Sequence, residues 1–246
     1  MSKLQDRVAV VTGASHGIGK AIAERLARDG AKVVVNYASR SAEAGAIAEG
    51  IKGSGGQAIA VKADVTKRAD IAHLFAEAMR AFGRVDILVN NAGMGALMPL
   101  EEVDEATWDR LFALNAKAPL FVTQEAVRHM GEGGRVVNVS SSTTYFPLAN
   151  TSIYAASKIV PRMYTEVLAK ELGSRGITVN SVVPGPTAPG MFENAPDSVR
   201  EGAAAQSPFG RIGHPEDIAG VVAFLASDDA AWVTGQHIVA NGGATI

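Results

Sequence analysis

Residues 8–19 read Val8-Ala9-Val10-Val11-Thr12-Gly13-Ala14-Ser15-His16-Gly17-Ile18-Gly19, a short apolar run that breaks directly into a glycine-spaced turn. A short run with apolar residues on both faces suits a strand buried on both sides. The glycines have separate tasks: Gly13 permits the tight turn, Gly17 lets backbone approach a ligand, and Gly19 lets the following helix pack close to the strand. That helix begins with free N–H groups and the positive end of its dipole, which suits a pyrophosphate. Ser15, His16 and Ile18 complete the cradle. The spacing is G-x-x-x-G-x-G rather than the commoner G-x-G-x-x-G. Glycine clusters are frequent in loops, so the dinucleotide reading rests on the position of this one, at a first strand-to-helix turn.

Working outward, further strand-like runs fall at Lys32–Tyr37, Ala58–Val61, Val85–Val89, Arg135–Val139, Thr178–Val183 and His237–Ala240, after the first at Val8–Thr12. Helical segments lie near 18–29, 41–53, 67–82, 104–130, 154–174 and 215–227, several ending at glycine (Gly30, Gly83, Gly176). This alternation predicts an α/β fold, a single-domain, Rossmann-type doubly wound parallel sheet of about seven strands flanked by helices. No Pro-, Gly- or Ser-rich linker divides it, so residues 1–246 read as one domain. Between Pro184 and Pro215 the rhythm fails, and six of the ten prolines gather there. A stretch of this length at the carboxyl end of the sheet reads as a substrate lid over about 184–214.

Composition excludes several chemistries. The chain has no cysteine, so disulfides, thiolate catalysis and Cys-ligated metals are out, and its five histidines lack metal-type spacing. A net charge of −2 with scattered charges gives no nucleic-acid or membrane surface. No apolar stretch approaches the roughly 20 residues of a membrane span, and no signal peptide opens the chain. A cytoplasmic protein acting on a small molecule is the expectation.

The end of the second strand decides the type of dinucleotide. An acid there binds the adenosine ribose hydroxyls and repels a 2′-phosphate. This chain instead has Asn36-Tyr37-Ala38-Ser39-Arg40, and the next acid is Glu43. His16 and Arg40 facing a 2′-phosphate, with Ser39 and Asn36 donating hydrogen bonds, favour NADP(H) over NAD(H). Asp64-Val65 follows the third strand, where Asp64 suits either the adenine amine or a turn before Thr66. Asn90-Asn91-Ala92-Gly93 closes the fourth strand: small residues let backbone run beside a cofactor, and Asn90 braces a neighbouring strand.

Tyr154-Ala155-Ala156-Ser157-Lys158 lies thirteen residues after Ser141. On a helix, positions four apart share a face about 6 Å apart, so the Tyr154 phenol and Lys158 ammonium point the same way. A nearby ammonium favours phenolate and lowers the phenol pKa from about 10. An ordinary exposed Tyr and Lys fit a lone Y-x-x-x-K equally well. The combination is what discriminates: the glycine loop, Asn90-Asn91-Ala92-Gly93, Ser141, Tyr154-x-x-x-Lys158 and Pro184-Gly185 occur in this order.

In that combination the chain resembles the short-chain dehydrogenase/reductases of the short, single-domain type, and among them the 3-oxoacyl-acyl-carrier-protein reductases and related carbonyl reductases. The resemblance runs from Leu4 to Gly243. It implies an NADP(H)-dependent oxidoreductase interconverting a carbonyl and an alcohol. It makes Tyr154 the acid/base, Ser141 the holder of the substrate oxygen, and Lys158 the residue that lowers the Tyr154 pKa and binds the nicotinamide ribose. It assigns Asn115 to a water in a proton relay, although a satisfied buried amide explains that residue as well. It also implies a homotetramer built through the helices at 104–130 and 154–174 and the last strand.

Two departures stand out. Pro189 occupies the position where the family commonly has a threonine anchoring the nicotinamide carboxamide, leaving Thr187 as a partial substitute. Pro161 lies inside the Tyr154 helix, where losing an N–H costs about 3 kcal/mol and predicts a kink or a bound side chain at the Ser157 carbonyl. Met94, Leu97, Tyr145, Phe146, Leu148, Met191 and Phe192 suggest an apolar pocket with no basic clamp for a carboxylate. The competing function is a catalytically inactive NADP(H)-binding regulator or scaffold of the same fold.

Overall fold

The computed structural model describes residues 3–193 and 195–244. β1 (Val8–Val11), β2 (Lys32–Tyr37), β3 (Gln57–Lys62), β4 (Val85–Asn90), β5 (Met130–Val139), β6 (Thr178–Pro184) and β7 (His237–Ala240) form one sheet, ordered β3-β2-β1-β4-β5-β6-β7. Every adjacent pair is parallel. The winding reverses between β1 and β4, so the loops leaving those two strands part and open a crevice at the carboxyl edge.

The helices are α1 (Gly17–Arg28), α2 (Ser41–Gly53), α3 (Arg68–Phe82), α4 (Glu105–Phe112), α5 (Ala118–His129), α6 (Ser152–Leu172), α7 (Asp197–Gln206) and α8 (Pro215–Ala226). Alternate strand residues feed two cores. Ala9, Val11, Val33 and Val35 pack with Ile22 and Leu26 of α1 and Ile218 of α8. Val10, Val34 and Leu88 pack on the other face with Leu74 and Phe75 of α3 and Val122 of α5. Each such side chain contributes about 1.5–3 kcal/mol by leaving water, which is why the strands read as unbroken apolar runs.

Three elements differ from the sequence expectation. The helix predicted over 104–130 is α4 and α5 joined by a π-helical turn at Ala113–Lys117, with Asn115 at its centre. β5 starts at Met130 rather than Arg135, because its glycine-rich first half carries no strand pattern and slips register against β4 between Val85 and Ile87. Inside the predicted lid lies α7, which buries none of its residues and so shows no apolar stripe to read.

Pro161 does not end α6, which runs on to Leu172 as one helix. The side-chain bonds there reach the neighbouring carbonyls rather than that of Ser157. Ser140 donates to the Lys158 carbonyl at 3.1 Å, and Thr165 donates to the Pro161 carbonyl at 2.9 Å. Thr165 in turn accepts from Asn138 (2.9 Å), which accepts from Asn90 (2.9 Å), while Asn90 also donates to Thr123 (3.0 Å). This buried chain joins β4 and β5 to the proline turn of α6, and Asn90 braces its neighbour as expected. Asn138→Ala should cost about 1–3 kcal/mol by leaving buried polar groups unpaired, read as a lowered urea midpoint. An unchanged midpoint would show the network to be energetically idle.

Candidate active site

The loops after β1 and β4 are locked together at the crevice. Thr12 Oγ1 accepts from the Asn91 and Ala92 N–H groups, both at 3.0 Å. The Asn91 amide donates to the Thr12 and Gly13 carbonyls at 2.9 and 3.0 Å. A Cβ on Gly13 would lie 2.8 Å from the Ala92 Cα, and one on Gly19 would lie 2.4 Å from both the Asn91 amide and the Gly13 carbonyl. Side chains at these positions would fill the cradle, so the loop keeps the open backbone a pyrophosphate needs. Thr12, which carries this junction, looked in sequence like the last residue of a strand.

Asn36 is a correction. It accepts from the Gly13 N–H (3.2 Å) and donates to the Val61 and Ala63 carbonyls (3.3 and 3.0 Å), so its amide braces the glycine loop from inside and does not face a phosphate. Asp64 takes the turn role, accepting from Thr66 N and Oγ1, and Lys67 lies 3.4 Å from it. Val65 is buried in the second core. Tyr37 shares a hydrogen bond with Ser41 at 3.1 Å.

Ser39 and Arg40 are exposed at the sheet edge, with Arg40 loosely paired to Glu43 at 3.7 Å. His16 precedes α1, and its pKa is lowered first by burial and then by the Arg40 charge, so the two basic groups confront each other across the cradle. Ser15 is buried, with its hydroxyl 3.5 Å from His16 Nδ1. Ile18 is half-buried on α1.

Across the crevice, α6 delivers Tyr154 and Lys158. The Ser141 hydroxyl stands close enough to the Tyr154 phenol to lower its pKa, and it accepts from Thr143 Oγ1 (3.0 Å) and N–H (3.3 Å). With its lone pairs taken, the Ser141 hydroxyl has only its proton left to offer. Lys158 is buried and donates to the Val139 carbonyl at 3.2 Å. Its ammonium lies 2.9 Å from where a Gly93 Cβ would sit, so only glycine lets the β4 loop pass.

Asn115 accepts from Met94 N–H (2.9 Å) and donates to the Met94 carbonyl (2.8 Å) and to Ser157 (3.0 Å). Ser157 donates to the Tyr154 carbonyl at 2.7 Å. The side-chain amide of Asn115 is therefore a satisfied buried joint between the β4 loop and α6. Ser157 and Thr143 were missed in sequence because nothing distinguishes them from other small polar residues.

The charge balance differs from expectation. Burial raises the Tyr154 pKa, and the Ser141 hydrogen bond offsets part of that rise, so the lowering expected from Lys158 does not dominate. Desolvation holds Lys158 itself at about 8 instead of 10.5. Pro184 and Gly185 end β6, and a Gly185 Cβ would strike Asn241 at 2.8 Å. Thr187 spends its hydroxyl proton on the Gly185 carbonyl at 2.9 Å, while Pro189 lies exposed beyond it.

Of the apolar candidates, Leu97, Leu148 and Met191 are exposed, while Met94, Tyr145, Phe146 and Phe192 are half-buried. Arg162 stacks over Tyr145 at 3.9 Å, so a cation does stand beside this group. Among the described residues no helix is long and apolar enough to cross a membrane, and no His, Asp or Glu group fits a metal.

The family description Enoyl-(Acyl carrier protein) reductase matches residues 13–245. An uncharacterized oxidoreductase of Methylorubrum extorquens is 49% identical over 246 residues, covering 99% of both chains. The chain belongs to the short-chain dehydrogenase/reductase family. The hydroxynaphthalene reductase-like protein Arp2 of Metarhizium brunneum is 42% identical, covering 98% of this chain and 95% of its own. The crystal structure of angucycline C-6 ketoreductase LanV with bound NADP superposes with a TM-score of 0.95 at 44% identity, covering 99% of this chain and 97% of LanV.

An oxidoreductase site of this kind holds a penalty the fold can shed. Keeping Lys158 charged at pH 7 costs about 3 kcal/mol, from the gap between its ordinary value and about 8. That cost is fully present below pH 8 and is relieved as pH climbs toward 10.5. Lys158→Met should therefore stabilise the cofactor-free protein by about 1–3 kcal/mol at pH 7, with the gain shrinking at alkaline pH. Denaturant titrations at pH 7 and pH 10 read this; a pH-independent difference would contradict it.

Proposed function

We propose that this protein is an NADPH-dependent ketoreductase that converts an apolar ketone to a secondary alcohol. The observation that carries the reading is the Ser141 hydroxyl beside the Tyr154 phenol, next to buried Lys158 and across the crevice from the glycine loop. Gly13, Gly17 and Gly19 would take the pyrophosphate against the start of α1, and His16 and Arg40 the 2′-phosphate. Asn91, Ala92 and Gly93 would line the path, and Pro184, Gly185 and Thr187 would border the far end. Bound NADPH supplies the hydride.

The chain's own groups manage the proton and the developing charge. The Ser141 proton stabilises negative charge growing on the carbonyl oxygen, and Tyr154 delivers the proton. A raised Tyr154 pKa keeps the phenol protonated at neutral pH, the form that reduction needs. Lys158, with a pKa of about 8, remains mostly charged at pH 7 and holds the site positive as charge moves onto oxygen. The relatives Arp2, a hydroxynaphthalene reductase-like protein, and LanV, an angucycline ketoreductase, favour a ring-bearing ketone.

Initial rates with a ketone panel test this. Tyr154→Phe should lose about 100-fold or more in kcat. Arg40→Ala should narrow the preference for NADPH over NADH by about tenfold, the scale of one charge-assisted contact. No ketone-dependent NADPH oxidation by the wild type would favour the scaffold reading, and a preference for NADH would overturn the cofactor assignment.

For assembly, we propose a homotetramer. Ile159, Met163 and Val167 form an exposed apolar stripe along α6. Beside it runs a groove of about 510 Å³ lined by Phe112, Ala116, Leu120, Val160 and Tyr164. A second copy covers both. Light scattering should give a tetramer mass for the wild type and a smaller one for Met163→Glu; a monomeric wild type would exclude the assembly.

A further inference from the structure

Two consecutive lid residues touch two different loops of the site. A Cβ on Gly17 would lie 3.1 Å from the Gly190 Cα and 3.4 Å from the Pro189 carbonyl, so the lid backbone rests on the glycine loop. The next residue, Met191, turns to the other side. Its Sδ lies 2.7 Å, and its Cγ 3.4 Å, from where a Gly95 Cβ would sit. Gly95 is two residues beyond Gly93, the glycine against Lys158, and two residues of chain span at most about 7 Å. The Met191 thioether thus packs on the same β4 loop whose Gly93 admits the Lys158 ammonium. Met191 is 60% exposed, so it is not held as core. Its packing partner is the bare backbone of a glycine.

We propose that Met191, seated on Gly95, sets the size of ketone the site accepts; this rests on the ketoreductase reading above. The two contacts differ in kind. At Gly17 the backbone has a φ of +52° and its neighbour is backbone, so any side chain strains the chain and the lid stays anchored there. At Gly95 no positive φ is imposed, and the neighbour is the end of a flexible side chain. The anchor is therefore stiff and the filter soft. Methionine has three rotatable bonds and a polarisable sulfur, which lets it yield to a substrate edge without moving the lid. A methyl at residue 95 would leave the loop intact and lift the thioether into the mouth. Met191→Ala would remove it.

The test compares kcat/KM for a bicyclic ketone, 2-tetralone, with that for a small one, ethyl acetoacetate, using NADPH. One methylene of fit in an apolar pocket is worth about tenfold or more. Met191→Ala should raise the 2-tetralone to ethyl acetoacetate ratio about tenfold, with the NADPH Kd close to wild type. Gly95→Ala should lower the ratio in the wild-type background and leave it unchanged once Met191 is alanine, the coupling expected of a contacting pair. A ratio unmoved by Met191→Ala, or a Gly95→Ala effect that persists without Met191, overturns the inference while small-ketone turnover continues. Loss of wild-type turnover on both ketones instead overturns the ketoreductase reading.

Discussion

The structure depends on two backbones brought closer than any side chain allows. Gly13 and Ala92 approach so tightly that a Cβ on the first would fall 2.8 Å from the Cα of the second. Thr12 fastens the approach with one hydroxyl shared by two N–H groups. From there the register passes along the β4 loop. Ala92 fixes Gly93, Gly93 admits the Lys158 ammonium, Asn115 grips Met94, and Ser157 carries the connection to the Tyr154 carbonyl. The cradle and the backbone of Tyr154 are thus joined by one path of hydrogen bonds and close packing. Positioning of this kind is the cheapest form of catalysis, because the geometry is set before a substrate arrives.

Electrostatics follow from the same closeness. Packing that excludes water raises the phenol pKa and depresses that of the ammonium, each favouring its neutral form. Burial dominates here. The lysine answers to desolvation, and the tyrosine to desolvation offset in part by one serine. At the other end of the crevice, burial and then the Arg40 charge lower the His16 pKa, leaving a group that an anion would help to protonate. Both ends are less stable than they need to be for folding alone, and both are placed where a ligand or a reaction compensates.

Fold and site were legible to different depths. The strands could be read because a parallel sheet buried on both faces demands apolar residues on each face, and Val8–Val11 and Val85–Asn90 supply them, the latter around a buried Asp86. α7 could not, since a helix with nothing buried carries no period. Glycines were legible as a pattern, but their individual reasons needed coordinates: the demand at Gly93 comes from Lys158, far away in sequence. Asn36 misled because its type suits a phosphate contact and its true partners, Gly13, Val61 and Ala63, belong to other elements. Side-chain direction at a strand end is decided by neighbours, not by the local sequence.

Pro161 shows how the same logic absorbs a flaw. Proline removes one helix hydrogen bond a few residues past Lys158, where a loosened turn would shift the ammonium. The turn is instead held from the sheet side: Ser140 takes the Lys158 carbonyl, and Thr165, itself fixed by Asn138, takes the Pro161 carbonyl. Two hydroxyl bonds flank the missing N–H. The Thr165 bond lies within α6 and is tied to β5 through Asn138, while the Ser140 bond reaches α6 directly from the end of β5. The proline thus loses a local restraint where Ser140 and Asn138 register α6 against the sheet, and α6 continues past it as a single element.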